Sequence, residues 1–263
     1  MEARLGDAIA KCERGAPACL AFLTPRDCIR AERFLRQKGA WEQAWLWGGF
    51  PTAERKCLFL LPDYLLLCLS SPIQQASDGE LKELLGDALA EEICPLRIRG
   101  SGFRVLTHRD YLGAILGLGI ERDALGDLAV QNPHEAILFA SQTLASFLLQ
   151  SLEKVGADTV RCELCEIDEG FTDGKSYRPI RDTVASPRLD CVVAALCGIS
   201  REKARNVLLE GIVEVDYEVE DRPDHPVSAP CLISVRGYGK YRLTALSDLT
   251  KKGRIRLQAE KYI

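Results

Sequence analysis

The side chains best placed for chemistry are cations. Arg201 and Arg205 stand four residues apart in Ser200-Arg201-Glu202-Lys203-Ala204-Arg205, with Lys203 between them; on a helix, residues at that spacing share a face. Arg188 lies a short helix upstream, and Arg236, Lys240 and Arg242 form a second basic row downstream. An arginine fork holds phosphate in two hydrogen bonds and stacks on an exposed base, so the pattern suits RNA. The bland alternative is a solvated charged face, which has the same composition.

Three other patterns imitate catalytic or ligand sites and fail on inspection. His108-Arg109-Asp110 mimics a protein-kinase catalytic loop, but Ile115 stands where the motif requires Asn, and no kinase glycine loop precedes it. It reads as a shaped turn, with His108 and Arg109 either capping and packing, which is the favoured reading, or touching RNA. Gly117-Leu118-Gly119-Ile120-Glu121-Arg122 lacks the third glycine of a dinucleotide fingerprint and follows an apolar helix, not a strand. Cys162-Glu163-Leu164-Cys165 is a lone pair, and on a strand from Thr159 to Ile167 its two sulfurs would point to opposite faces. No metal and no cofactor is expected, and no catalytic residue.

The elements that must position the basic residues are legible from periodicity. Arg188 to Cys197 carries Leu189, Val192, Val193 and Leu196 on one helical face and stops at Gly198. Ser200 caps a second helix, Arg201 to Glu210, whose buried stripe is Ala204, Val207 and Leu208. Ile212 to Asp216 alternates as a half-buried strand, and Leu232 to Arg236 leads through Gly237-Tyr238-Gly239 into Tyr241 to Leu243. The pattern predicts a helix pair on a small antiparallel sheet.

Upstream, a helix from Cys28 to Lys38 and apolar runs at Ala44 to Gly49, Cys57 to Leu61 and Leu65 to Leu69 predict a small α/β unit with short buried strands. Helices at Glu80 to Ala90 and Ser141 to Val155 and strands at Cys94 to Ile98, Glu135 to Ala140 and Thr159 to Ile167 predict a second one, an α/β sandwich. Thr107-His108-Arg109-Asp110 opens a further apolar helix, and Asp168 to Lys175 reads as a linker. The class is therefore α+β and multi-domain: residues 1–77, 78–170 and 180–263.

Composition bounds the rest. A chain of 263 residues, 47% hydrophobic and 27% charged, buries ordinary cores. No run approaches the ~18 apolar residues of a membrane span, and the acidic N-terminal stretch does not resemble a secretory signal, so the expectation is a cytoplasmic protein without membrane contact. Eleven scattered cysteines read mostly as reduced core thiols. The net charge of −4 argues against indiscriminate coating of nucleic acid, DNA included. That charge is uneven, because His225 to Ile263 holds eight Lys or Arg against Asp248 and Glu260 alone.

Arg188-Leu189-Asp190, Ser200-Arg201 with Ala204, Gly211-Ile212-Val213-Glu214-Val215 and Ile233-Ser234-Val235-Arg236-Gly237 resemble the S4 RNA-binding domain. That resemblance implies RNA contacts at Arg188, Ser200, Arg201, Lys203 and Arg205, with Arg236, Lys240 and Arg242 as the second row. Asp216-Tyr217 departs from the usual Asn-Gly, and the acidic run Glu214 to Asp224 should keep that hairpin off RNA. Phe22-Leu23-Thr24-Pro25-Arg26-Asp27, Gly48-Gly49-Phe50-Pro51-Thr52-Ala53-Glu54-Arg55-Lys56, Leu106 to Ala114 and Gly126-Asp127 resemble the bacterial YlmH family. This second resemblance implies a monomeric factor on the large ribosomal subunit, near rRNA and peptidyl-tRNA, in the handling of stalled translation; the family's association with cell division rests on gene neighbourhood. Two alternatives stand beside it. An RNA-modifying enzyme such as a pseudouridine synthase could use Asp190, although that residue reads better as a structural partner within its helix. A protein-interaction adaptor could use a surface near Trp41, Trp45 and Trp47, although such residues are more often core.

Overall fold

Capping residues and alternating burial set the elements of the computed structural model, which describes residues 1–168, 170–250 and 253–263. The linker reading takes in Glu169, and the basic C-terminal stretch takes in Lys251 and Lys252; these three lie outside the described residues. The chain forms two units, Met1–Gly174 and Lys175–Ile263.

The first unit opens with α1 (Glu2–Glu13), β1 (Ala18–Leu23), α2 (Pro25–Lys38), β2 (Ala44–Trp47) and β3 (Lys56–Leu60). The strands pair antiparallel in the order β1-β3-β2. Thr24 caps α2 by accepting the Asp27 N–H, Pro25 takes the first turn where no donor is needed, and Gly39 ends the helix at φ 71°. The expected strand at Leu65 to Leu69 does not form. Residues Asp63–Leu66 make one helical turn instead, α3, because Pro62 sets an extended entry and the following N–H groups find local carbonyls. Leu67 is 85% exposed, and Cys68 is likewise exposed, unlike the core thiols expected of this sequence.

The unit continues with α4 (Asp78–Glu92), β4 (Cys94–Gly100), α5 (His108–Gly117), β5 (Leu125–Asn132), β6 (Glu135–Ala140), α6 (Gln142–Ser151), β7 (Lys154–Val155) and β8 (Asp158–Leu164). Ser77 and Ser141 cap α4 and α6. α6 stops short of the expected Val155, since Lys154–Val155 turns back to pair with β8. The sheet order is β5-β6-β4-β8-β7, antiparallel throughout. β5 is absent from the sequence reading because Gly126 and Asp127 interrupt its apolar pattern.

Three cores layer this unit. Leu5, Leu35, Leu58 and Leu60 lie between α1, α2 and one face of the first sheet. Trp45, Trp47, Phe59, Phe139 and Ile137 fill the space between the two sheets with Leu81 and Leu85 of α4. Leu96, Ile98, Leu138, Tyr111 and Leu148 bury the other face of the second sheet under α5 and α6. Trp45 and Trp47 are thus core, and they offer no apolar surface to an adaptor's partner.

Arg55, 8% exposed, ties the two sheets together. Its guanidinium donates to the carbonyls of Leu125 at 2.7 Å and Phe22 at 3.2 Å and pairs with Asp123. The Asp127 carboxylate accepts the backbone N–H groups of Glu54 and Arg55 from the other side. Glycines permit the approach: a Cβ on Gly126 would lie 2.5 Å from the Phe22 ring, and one on Gly49, at φ 101°, 2.3 Å from the Phe139 ring.

The second unit runs β9 (Tyr177–Val184), α7 (Leu189–Cys197), α8 (Arg201–Leu209), β10 (Val213–Val215), β11 (Glu218–Val219), β12 (Cys231–Val235), β13 (Gly239–Leu249) and β14 (Ile255–Tyr262). Its sheet order is β11-β10-β12-β13-β14-β9, all antiparallel. The helix pair covers one face, burying Leu189, Val192, Val193, Leu208, Ile233, Tyr241, Leu243 and Leu257. Such aliphatic side chains contribute about 1.5–3 kcal/mol each when fully buried. The described residues therefore form a mixed α+β protein with three antiparallel sheets and eight helices. No helix among them is long and apolar enough to cross a membrane.

Replacing Arg55 by Met takes the side-chain donor from the Phe22 carbonyl and one of two from the Leu125 carbonyl, which Arg122 also reaches at 3.2 Å, a loss of about 1–3 kcal/mol. R55M should lower the urea midpoint of the full chain accordingly; an unchanged midpoint would remove Arg55 from the junction's energetics.

Candidate nucleic-acid interface

The geometry centres on Asp190. It lies in the first turn of α7, where an acidic residue complements the helix dipole, and its side chain is fully buried. Gly198 at φ 64° ends α7 and lets the chain reverse, and Ser200 starts α8 by accepting the Lys203 N–H at 3.2 Å. This short connection brings the start of α8 beside Asp190. The Nε of Arg201 donates to the carboxylate at 2.9 Å, as does its terminal nitrogen, and Arg188 donates at 3.3 and 3.5 Å.

Burial alone would raise the Asp190 pKa. The hydrogen bonds from Arg201, Arg188 and the Cys191 thiol outweigh it and hold the carboxyl below its ordinary value. The same pairing pushes the Arg201 pKa up. Arg201 and Arg188 keep 54% and 41% of their side chains exposed, so each clamped guanidinium still presents an outer edge.

The other sequence candidates fall into distinct groups. Arg205 is exposed one turn along α8 and has no ion pair among the described residues; with Arg201, Asn206 and Leu209 it lines a surface hollow. Lys203 reaches toward the Tyr238 ring at 5.9 Å. Ser200 serves as a helix cap. Arg236 is exposed in the β12–β13 turn, which Gly237 and Gly239 allow at φ 86° and 134°. Lys240 and Arg242 alternate with buried Tyr241 and Leu243 along β13, so they project from the face of the sheet opposite the helices. The eight positions do not form one patch.

Sequence reasoning missed the groups around Lys240 and Arg242. Tyr177 and Tyr262 accept hydrogen bonds from Arg242 at 3.2 and 3.3 Å, and Lys240 lies 5.1 Å from the ring centres of both Tyr217 and Tyr262. Period-two alternation in Tyr177–Val184 and Ile255–Tyr262 was the available signal, but charged residues dilute the apolar positions of both strands.

The acidic run is handled internally. Glu220 accepts from Arg222 at 2.9 Å and lies 2.8 Å from His225 Nδ1. Those Arg222 hydrogen bonds, against the opposing effect of burial, push its pKa down to about 2. In the first unit, the kinase-like tripeptide belongs to a capping box: Thr107 accepts the Asp110 N–H, and Asp110 accepts the Thr107 N–H at 2.8 Å. Asp110 does the capping there, whereas His108 and Arg109 are exposed instead of packed. Cys162 and Cys165 donate to different carbonyls, those of Leu152 and Pro95. Among the described residues no three His, Cys, Asp or Glu side chains gather as metal ligands.

Residues 95–169, the second sheet with α5 and α6, match a family described as "Putative RNA-binding domain in YlmH". The class is thus defined by a domain of that kind within the first unit. Over 215 residues, 81% of this chain and 76% of the relative, the sequence is 28% identical to the "Ribosome-associated protein quality control protein P2" of Bacillus subtilis (strain 168). Together these likenesses make the chain similar to the YlmH family. A solved structure, "Cell division protein ylmH from Streptococcus pneumoniae", is 22% identical, with 65% of this chain and 92% of that one covered and a TM-score of 0.49.

Asp190 and Glu220 both have folded-state pKa values below their unfolded ones. Their stabilisation is complete above the ordinary carboxylate range and is lost as pH falls through the folded values. Chemical denaturation followed by circular dichroism should show stability declining as pH drops from about 4.5 toward 2. Asp190→Asn should cost about 1–3 kcal/mol at neutral pH and remove part of that acid dependence.

Proposed function

We propose that this chain is a non-enzymatic RNA-binding factor of the large ribosomal subunit, contacting rRNA and peptidyl-tRNA in the handling of stalled translation complexes. In this reading residues 180–263 are an S4-type module, and Arg188, Arg201, Lys203 and Arg205 meet structured RNA. The observation that carries it is the pair of guanidinium groups fixed on buried Asp190, one turn of α8 from exposed Arg205, which has no ion pair among the described residues. Pre-oriented forks lose little conformational freedom when they take up a phosphate. The name of the Bacillus relative supports the ribosomal setting.

A pseudouridine synthase is disfavoured by the same geometry. A catalytic carboxylate must reach its base, and Asp190 is fully buried and occupied by two arginines. Cytoplasmic location follows from a ribosomal partner.

Sedimentation with separated ribosomal subunits tests the proposal. The wild-type chain should travel with the large subunit, and Arg201→Ala/Arg205→Ala should weaken that association about ten-fold or more at moderate salt. The dependence of log affinity on log salt should also flatten by roughly 0.7–0.9 for each phosphate contact removed. Equal binding by wild type and variant, or none to either subunit, would overturn the assignment.

A further inference from the structure

We propose that the face of the second unit's sheet opposite the helix pair is a stacking platform for single-stranded RNA, built from Tyr177, Tyr217 and Tyr262 around Lys240 and Arg242. The site deepens the RNA-binding reading and rests on it in part, but uses residues remote in role from the Asp190 clamp.

Register puts the side chains together. Tyr241 pairs with Lys261 and Arg242 with Glu260, so the next pair along places Lys240 beside Tyr262. Tyr262 pairs in turn with Tyr177 across β9. Paired residues point to the same side of a sheet, and the neighbours Tyr241, Leu243, Leu257 and Ala259 are buried on the helix side. Tyr177 and Tyr262 meet edge to face, with ring centres 5.0 Å apart. Arg242 sits against both, at 4.9 and 5.7 Å, and Lys240 stands between the rings of Tyr262 and Tyr217.

Tyr217 supplies an independent observation. It occupies the second central position of the β10–β11 hairpin, where Asp216 and Tyr217 both have positive φ, 47° and 66°. Such turns favour Asn-Gly, and a bulky residue there is costly. A tyrosine held at that cost brings its ring to Lys240, completing the row of three aromatics.

The chemistry of that row matches a flexible polyanion carrying flat rings. Lys240 and Arg242 concentrate positive charge among the rings, Arg242 also facing Glu260 at 3.5 Å; phosphates are drawn to that charge, and ring faces turned away from the cations can receive unpaired bases. Arg181 and Arg256 are exposed on the same face and extend its positive side along β9 and β14, against Glu214 and Glu260. A duplex keeps its bases stacked on one another, so the platform selects single strands over helices. The helix pair and the platform therefore divide the labour between structured RNA and an unpaired segment.

The test uses the full chain with a fluorescein-labelled oligoadenylate of about seven nucleotides, read by anisotropy, with heparin as a polyanion that has no bases. Tyr217→Leu and Tyr262→Leu should each weaken oligonucleotide binding about five-fold or more, as expected for one lost stacking contact. Tyr217→Phe and Tyr262→Phe should stay within about two-fold of wild type, and heparin binding should be unchanged in all four. A 4-thiouridine oligonucleotide photocrosslinked to the wild-type chain should label the peptides holding Tyr217 and Tyr262, which decides the matter if a leucine variant fails to fold. Leucine variants that bind like wild type, parallel loss of heparin binding, or crosslinks confined to other peptides would each overturn the platform. Arg201→Ala/Arg205→Ala run alongside separates the two ideas: loss of subunit binding with oligonucleotide binding insensitive to tyrosine leaves the ribosomal reading standing and sinks this one.

Discussion

A carboxylate without water must be matched by fixed donors, and in the second unit Asp190 imposes that constraint on everything nearby. Its oxygens need guanidinium groups, which arrive from the residue before α7 and the first residue of α8. The helix connection therefore has to be short and sharply reversed, a requirement met by Gly198 and Ser200. Replacing such an ionic cluster by apolar groups can be neutral for stability, so its value lies in orientation. Both guanidinium groups are thereby held in fixed directions on the carboxylate.

The first unit uses a comparable device for a different end. Arg55 and Asp127 cross-link two sheets through backbone groups, and the glycines beside them admit aromatic rings at close range. The motif residues that carry the YlmH resemblance thus gather at a junction instead of a reaction centre. Their spacing along the chain is wide because they belong to different strands that meet only after folding.

Much of the second unit was legible because its signals are local. Leu189, Val192, Val193 and Leu196 at helical spacing, Gly198 as a stop and Ser200 as a cap each act within a few residues, and all fall where the sequence puts them. β9 and β14 were not legible, since a strand half covered by charged residues acquires its pattern only from its partner. The same holds for β5, where Gly126 and Asp127 serve the Arg55 junction and break the alternation. Leu65 to Leu69 misled in the opposite sense: five apolar residues looked like a buried strand, but a helical turn after Pro62 leaves Leu67 in solvent. The basic residues were identifiable by type, yet their partition between two faces depends on the register of β13, which no short window reveals.

The pairing of β14 with β9 joins the first strand of the second unit to its last. During synthesis, Tyr177 emerges long before Tyr262, and at ordinary elongation rates the wait is on the order of ten seconds. Helices α7 and α8 can form in that interval, whereas β9 has no strand to pair with until β14 is made. An unpaired edge invites wrong partners, and the arginines on β9, Arg178 and Arg181, give the nascent strand a charge that discourages self-association while it waits.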